Sequence, residues 1–413
     1  MMMAHSDACL KCTICIAACP VYRKDGEFPG PKALGPEWHR RHLAGTGDLM
    51  DHVDDCTFCQ LCEGACPVGV PVAHLIAEHK AAALPKQTWP MRVRDTVLTH
   101  PEWVARAPVL TRATALVPIS RWLKLSTRSQ RPSVRKAPRL SRSSRRAAVG
   151  GGRPRVALFV DCFDRGFDTE AMLAAQALME VFGFEVHQVP RTSQCCGAAA
   201  YASGRVAQAR RQAGAMEQAI RGELRGDEVA LITLNATCQG TIGEEWSKFL
   251  GLNDLPVPVI PFHVFALQHA PAGFWSTVAA ANVDPGSWTW THTTCRGRRR
   301  GDGALFQLAR RAGMDQVEPL DLECCGAAGS YAFKAEHAET AHDIGQPAAA
   351  QIHGRPGVIW VDSGTCAVHL EQLAGRTARH PAYWLWQAWL TSQSASATPP
   401  APAGHGEPRD GGS

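Results

Sequence analysis

The chain has 413 residues, an apolar fraction of 45% and a formal charge of +5, which suits two to three domains with real cores. Sixteen cysteines, with no secretory signal expected before the first motif, point to a reducing compartment where thiolates serve as metal ligands. There is no run of about 18 apolar residues, so no membrane-spanning helix is predicted.

The first predicted element carries the densest signal. Cys9, Cys12, Cys15 and Cys19 form C-x2-C-x2-C-x3-C followed by Pro20, and Cys56, Cys59, Cys62 and Cys66 repeat the spacing before Pro67. Three thiolates spaced three apart wrap one face of an iron–sulfide cube. The fourth, set before a proline, reaches the neighbouring cube. The spacing therefore predicts two 4Fe–4S clusters, one on Cys9, Cys12, Cys15 and Cys66, the other on Cys56, Cys59, Cys62 and Cys19. Zinc sites favour two separated C-x2-C pairs and fit this pattern poorly. Two cubes in tandem mean electron conduction. Glu37 to Leu43 and Val70 to Ala83 read as helices, so residues 1–84 are expected to form a mostly helical ferredoxin-type module.

Residues 85–152 read as a connector and linker. Pro85, Pro90 and Pro101 break its start. From Trp103 to Arg155 there are 14 Lys or Arg residues and no Asp or Glu. Leu116, Ile119, Trp122 and Leu123 alternate with Arg121, Lys124 and Arg128, with Pro118 suited to a first helical turn. A basic helix with a Trp on its apolar side suits an anionic membrane surface or a partner. A plain linker helix and a nucleic-acid contact are the competing readings, and no nucleic-acid partner is expected. Arg131 to Arg153, ending in Gly150-Gly151-Gly152, reads as flexible.

From Arg155 short apolar runs alternate with amphipathic helices, the signature of a parallel α/β unit. Val156–Val160, Glu185–Val189 and Val229–Leu234 read as strands, with helices at Thr169–Phe182 and Arg205–Arg221. The pattern recurs with strands at Trp288–Thr291 and Gly357–Asp362, and helices at Ala304–Ala312 and within Ala335–Ile352. Cysteines follow the strands in both copies. Cys162, the pair Cys195 and Cys196, and Cys238 mark the first. Cys295, the pair Cys324 and Cys325, and Cys366 mark the second. Each pair continues as Cys-Cys-Gly-Ala-Ala, a duplication. Ligands gather at the carboxyl ends of parallel strands, so both sets of four should converge there. Gly197 and Gly326 give the freedom needed for two adjacent thiolates to serve one centre. The predicted fold class is α+β and multidomain: the helical module, two tandem α/β cysteine-rich (CCG) repeats over 153–270 and 285–390, and a disordered tail over 391–413. No phosphate-binding or dinucleotide motif is present, and no catalytic residue is expected in the chain.

The CCG repeats resemble the cysteine-rich domains of heterodisulfide reductase and related iron–sulfur subunits. Further motifs run from Cys9 to about Leu390: Pro29-Gly30-Pro31-Lys32 with Gly35-Pro36, Val97-Leu98-Thr99-His100, and Cys324 through Lys334 continuing to Ile344-Gly345-Gln346-Pro347. Together they look like the family of the iron–sulfur subunit of anaerobic glycerol-3-phosphate dehydrogenase. That resemblance implies a cytoplasmic subunit, peripheral on the inner face of the cell membrane. It would pass electrons from a flavoprotein dehydrogenase to membrane quinone. The same architecture fits a glycolate or lactate dehydrogenase complex, or a disulfide or quinone reductase in its own right. The sequence departs from the wider pattern where C-x-x-C is usual, with Asn235 and Ser363 replacing the first cysteine. This favours a single further iron–sulfur cluster per repeat, or one occupied site. Arg296 to Arg300 is also more basic than the family pattern.

Overall fold

The computed structural model describes residues 8–100, 103, 122–126, 135, 152–191, 195–281, 287–301 and 303–396. The amino-terminal module is helical. Its longest helix, Val72–Ala83, starts after Pro71, where the missing N–H costs nothing. It packs on a π-helical turn, Ala33–Glu37, that runs on into the helix Trp38–Leu43. Leu34, Leu75 and Ile76 are fully buried between them. Trp38 stacks on His79 at 4.1 Å, and the His79 ring is held between Leu34 O and the N–H of Met50. Two one-turn helices, Ile14–Ala17 and Leu61–Gly64, carry the two cysteine motifs.

The segment expected to be broken by prolines instead holds the helix Trp89–Leu98, with Pro90 in its first turn. There the absent N–H is one the helix would leave without an intrahelical partner anyway. Arg94 in this helix is buried against Asp95 and Glu336. Of the expected basic helix only Trp122 to Ser126 is described. Leu125 pairs in antiparallel fashion with Lys334, and Trp122 meets Trp89 edge to face at 5.3 Å. The rest of the basic block, but for Trp103, Arg135 and residues 152–155, lies outside the described residues.

Two four-stranded parallel sheets follow. The first comprises β1 (Arg155–Phe159), β2 (Glu185–Val189), β3 (Glu228–Thr233) and β4 (Val259–Pro261) in the order β2-β1-β3-β4. The second comprises β5 (Trp288–His292), β6 (Val317–Pro319), β7 (Gly357–Val361) and β8 (Ala378–Arg379) in the order β6-β5-β7-β8. The shared order is the duplication read from the cysteines. Crossovers run through Thr169–Val181, Val206–Glu223 and Thr241–Leu250 in the first repeat. Ala304–Arg311, Ala338–Ile352 and Gly364–Ala374 are their counterparts in the second.

Alternation along β1 decides how the layers stack. Val156, Leu158 and Val160 face a core shared with the second repeat, built with Phe262, Phe265, Leu305 and Leu308. Ala157 and Phe159 face the opposite way, into a core continuous with the amino-terminal module through Phe58, Leu75 and Trp246. Helix Ala272–Ala280 and the last helix, Pro381–Ser396, close the shared core. That last helix extends into the segment expected to be a disordered tail; residues beyond 396 lie outside the described set. Among the described residues, no helix is long and apolar enough to cross a membrane.

Candidate metal centres

In both amino-terminal motifs the residues flanking the middle cysteine adopt the left-handed conformation. Lys11 and Thr13 have φ of 56° and 67°, and Phe58 and Gln60 have 55° and 65°. None is glycine, so each costs on the order of 1–3 kcal/mol and persists only where its surroundings dictate it. The repeated excursion gives both loops the same curl. Cys15 shares its surroundings with Cys9, Cys12 and Cys66; burial and then the charge of those three push its thiol up. Cys19, Cys56, Cys59 and Cys62 line one small cavity of about 10 Å³ with Phe28 and Pro31. Burial pushes Cys19 up to about 12, and Cys59 and Cys62 well up. Buried thiols that repel one another ionise together only around a cation, so the donor sets suit metal. Backbone N–H groups already face the sulfurs: Phe58 donates to Cys56 at 3.4 Å and Val70 to Cys66 at 3.3 Å.

The two rims are built alike. Cys162 and Cys295 open one-turn helices capped by Asp161 and Thr294. After β2 and β6 the cysteine pairs turn at Gly197 and Gly326, with φ of 91° and 85°. A methyl on Gly197 would lie 2.8 Å from Ala209 O, and on Gly326 2.1 Å from Ala341 O. Cys238 sits in the one-turn helix Ala236–Gly240, its Sγ 3.5 Å from Cys196 Sγ. Hydrogen bonds from Cys195 and Cys238 hold the Cys196 thiol well below its ordinary value. In the second rim the hydrogen bond from Cys366, and then the His292 ring, do the same for Cys325. Asn235 and Ser363, each three residues before the last cysteine of its rim, meet each other: Ser363 Oγ lies 3.5 Å from Asn235 Oδ1, and Ala236 N donates to Asp362 O. The two rims thus abut. One cavity of about 490 Å³ is lined by all eight rim cysteines together with Cys56 and Cys59. Val97, Leu98, Trp103, Leu123, Phe163 and Phe167 also line it.

The basic stretch after Cys295 joins the three parts. Arg296 is buried against Glu245 of the first repeat, which also accepts from Gln60 of the amino-terminal module. Its guanidinium lies over the Phe58 ring. Arg299 pairs with Glu244 at 2.6 Å and Glu63 at 3.5 Å. Burial opposes ionisation of Glu244, but Arg299 and Lys248 outweigh it and hold the carboxyl at about 2.

His292 was not among the residues singled out by sequence. It is the last residue of β5, and its donor atom, with those of Cys325 and Cys366, forms a group within 4.8 Å of one another. The spacing His292-x-x-Cys295 was the available signal.

Comparison with known proteins agrees with this layout. The 4Fe-4S dicluster domain family matches residues 5–70. The cysteine-rich domain family, CCG, matches residues 156–243 and 290–371. A subunit of anaerobic glycerol-3-phosphate dehydrogenase from Escherichia coli strain K12 is 28% identical over 399 residues, 92% of this chain and 98% of that protein. The protein of the same name from Escherichia coli O157:H7 matches equally. Lactate utilization protein A of Geobacillus sp. strain WCH70 is 30% identical over 194 residues, 44% of this chain and 75% of that protein.

Proposed function

Because the chain belongs to the family of CCG-domain iron–sulfur proteins that includes this subunit of anaerobic glycerol-3-phosphate dehydrogenase, we propose that it carries electrons from a flavoprotein dehydrogenase to membrane quinone. Cys9, Cys12, Cys15 and Cys66 hold one 4Fe–4S cluster, and Cys56, Cys59, Cys62 and Cys19 the second. Cys162, Cys195, Cys196 and Cys238, and then Cys295, Cys324, Cys325 and Cys366, offer one or two further iron–sulfur sites. Such clusters supply one-electron transfer when bound. The chain supplies thiolates, N–H donors to sulfur that tune potential, and a buried setting.

The observation that carries this reading is the common cavity, where Cys56 and Cys59 face both rims. The aromatic and aliphatic residues of its lining suit an apolar, planar acceptor such as a quinone. The catalytic work falls to a partner, and glycerol-3-phosphate is the substrate favoured by the relative that spans nearly the whole chain. Likeness to lactate utilization protein A supports a second reading, service to a lactate or glycolate dehydrogenase. Copurification from the host, with identification of the accompanying flavoprotein, separates the two. A glycerol-3-phosphate dehydrogenase is expected. A lactate or glycolate dehydrogenase would establish the second reading, and full quinone reductase activity in the isolated chain would displace both.

A further inference from the structure

We propose that His292 is a metal ligand, the imidazole donor that completes the second rim where Ser363 stands in place of a cysteine. The inference rests on the reading that the rims hold metal, and adds which residue of this chain does so. His292 is 0% exposed. Neither ring nitrogen has a nitrogen or oxygen hydrogen-bond partner, and the ring lies beside the sulfurs of Cys325, on which it acts, and Cys366, all three donors within 4.8 Å of one another. A buried ring nitrogen left without such a partner is unfavourable, and a metal ion removes that cost.

The two repeats supply an internal control. Phe159 ends β1 three residues before Cys162, and His292 ends β5 three residues before Cys295. Both lie in register with a neighbouring strand, Phe159 with Val189 and His292 with Val361. The same place therefore holds an inert ring in one repeat and a ligating ring in the other. Ser363 Oγ is engaged elsewhere, with Asn235 and Thr365.

The spacing also indicates what is bound. Bonds of about 2.0–2.3 Å to one tetrahedral ion set ligand atoms about 3.3–3.8 Å apart. The three donors already lie within 4.8 Å of one another, close enough for one ion to draw them together. Mixed thiolate and imidazole donors suit zinc or iron, whether a discrete ion or one iron of a cluster. If iron, the imidazole raises its reduction potential relative to an all-thiolate version of the same site.

The test uses the full chain, purified anaerobically with ¹⁵N-labelled histidine. Iron and zinc are counted, pulsed EPR reads nitrogen coupling to iron, and X-ray absorption at each metal edge reads a nitrogen scatterer. The wild type should show one imidazole nitrogen on one metal. The edge that carries it tells zinc from iron. His292→Phe, which copies the first repeat, should lose that nitrogen and the metal of this rim while the tandem-cluster signals persist. His292→Cys should retain the metal in an all-sulfur environment. Where His292→Phe also loses the tandem signals through misfolding, the wild-type nitrogen coupling decides. Metal and spectrum unchanged in His292→Phe, with metal lost in Cys325→Ser, would overturn the histidine assignment alone. Metal unchanged in Cys325→Ser and Cys366→Ser as well would overturn the metallic reading of the rim, and the histidine assignment with it.

Discussion

At the scale of single residues, geometry turns on a few positions where only one side chain fits. Gly326 was legible in the sequence, because two adjacent thiolates need a sharp turn after them. Its φ of 85° and the approach of Ala341 O to 2.1 Å of a would-be methyl give the reason. Gly326→Ala should cost more than about 1 kcal/mol and empty the second rim, read as lost metal with the tandem-cluster EPR signals kept. Retained metal would show that the turn tolerates a methyl. The left-handed Lys11, Thr13, Phe58 and Gln60 were not legible, since no local preference of these residue types favours positive φ. Their conformation comes from the point the cysteines surround. His292 was missed for a related reason: a lone histidine ending an apolar strand reads as core until the fold brings Cys325 and Cys366 to it.

At the scale of elements, β1, β3, β5 and β7 are rich in apolar or β-branched residues and were located by that pattern, and β2 by its place in the alternation of strands and helices. Periodicity passed over β4 and β8, which are too short to show a period and are formed by pairing with β3 and β7. Helix Trp89–Leu98 was hidden by Pro90, which breaks a helix interior but suits a first turn. The join between β8 and the last helix carries a pH dependence. Burial, and then nearby His263, lower His380 to about 3. Its Nδ1 accepts from Ala382 N, which favours the neutral ring. An unfolded histidine titrates near about 6.5. Below that pH the unfolded chain binds a proton that the folded chain refuses. The stability is therefore complete above about 6.5 and falls with acid, by about 2 kcal/mol at pH 5. The melting temperature should drop between pH 7 and 5, and less steeply in His380→Gln. Parallel curves would show that this ring contributes nothing. The basic block belongs to the same scale. Near an anionic surface each basic residue contributes about 1 kcal/mol, screened by salt. Exposed Trp89 and Trp122 adjoin the block. The full chain should sediment with anionic vesicles at low salt and not at high salt; equal sedimentation by a chain lacking residues 118–146 would remove the block from membrane attachment.

At the scale of the whole molecule, the amino-terminal module and the two repeats share cores instead of hanging on linkers. Phe58 and Leu75 lie in one cluster with Trp246 and Phe159, and β1 turns its other face to the second repeat. Arg296 fastens all three. Arg296→Ala leaves Glu245 buried without its countercharge and should cost about 3–5 kcal/mol, whereas Arg296→Met with Glu245→Leu should recover most of that loss. Thermal unfolding checks both; an unchanged melting temperature in the single variant would mean the clamp is dispensable. The sequence showed the three parts but not their mutual packing, because Arg296, Glu245 and Gln60 are far apart along the chain and meet only once the sheets are formed. That packing makes Cys59 the thiolate between the tandem motif and Cys295, whose charge it feels after its own burial. The most direct test of electron conduction is therefore made on the copurified complex, by adding glycerol-3-phosphate anaerobically and following flavin absorbance, iron–sulfur EPR and quinone reduction together. The wild-type complex should reduce its flavin, then its iron–sulfur centres, then quinone. The complex carrying Cys59→Ser should reduce its flavin but leave quinone unreduced. Quinone reduction at the wild-type rate in the Cys59→Ser complex would contradict the account.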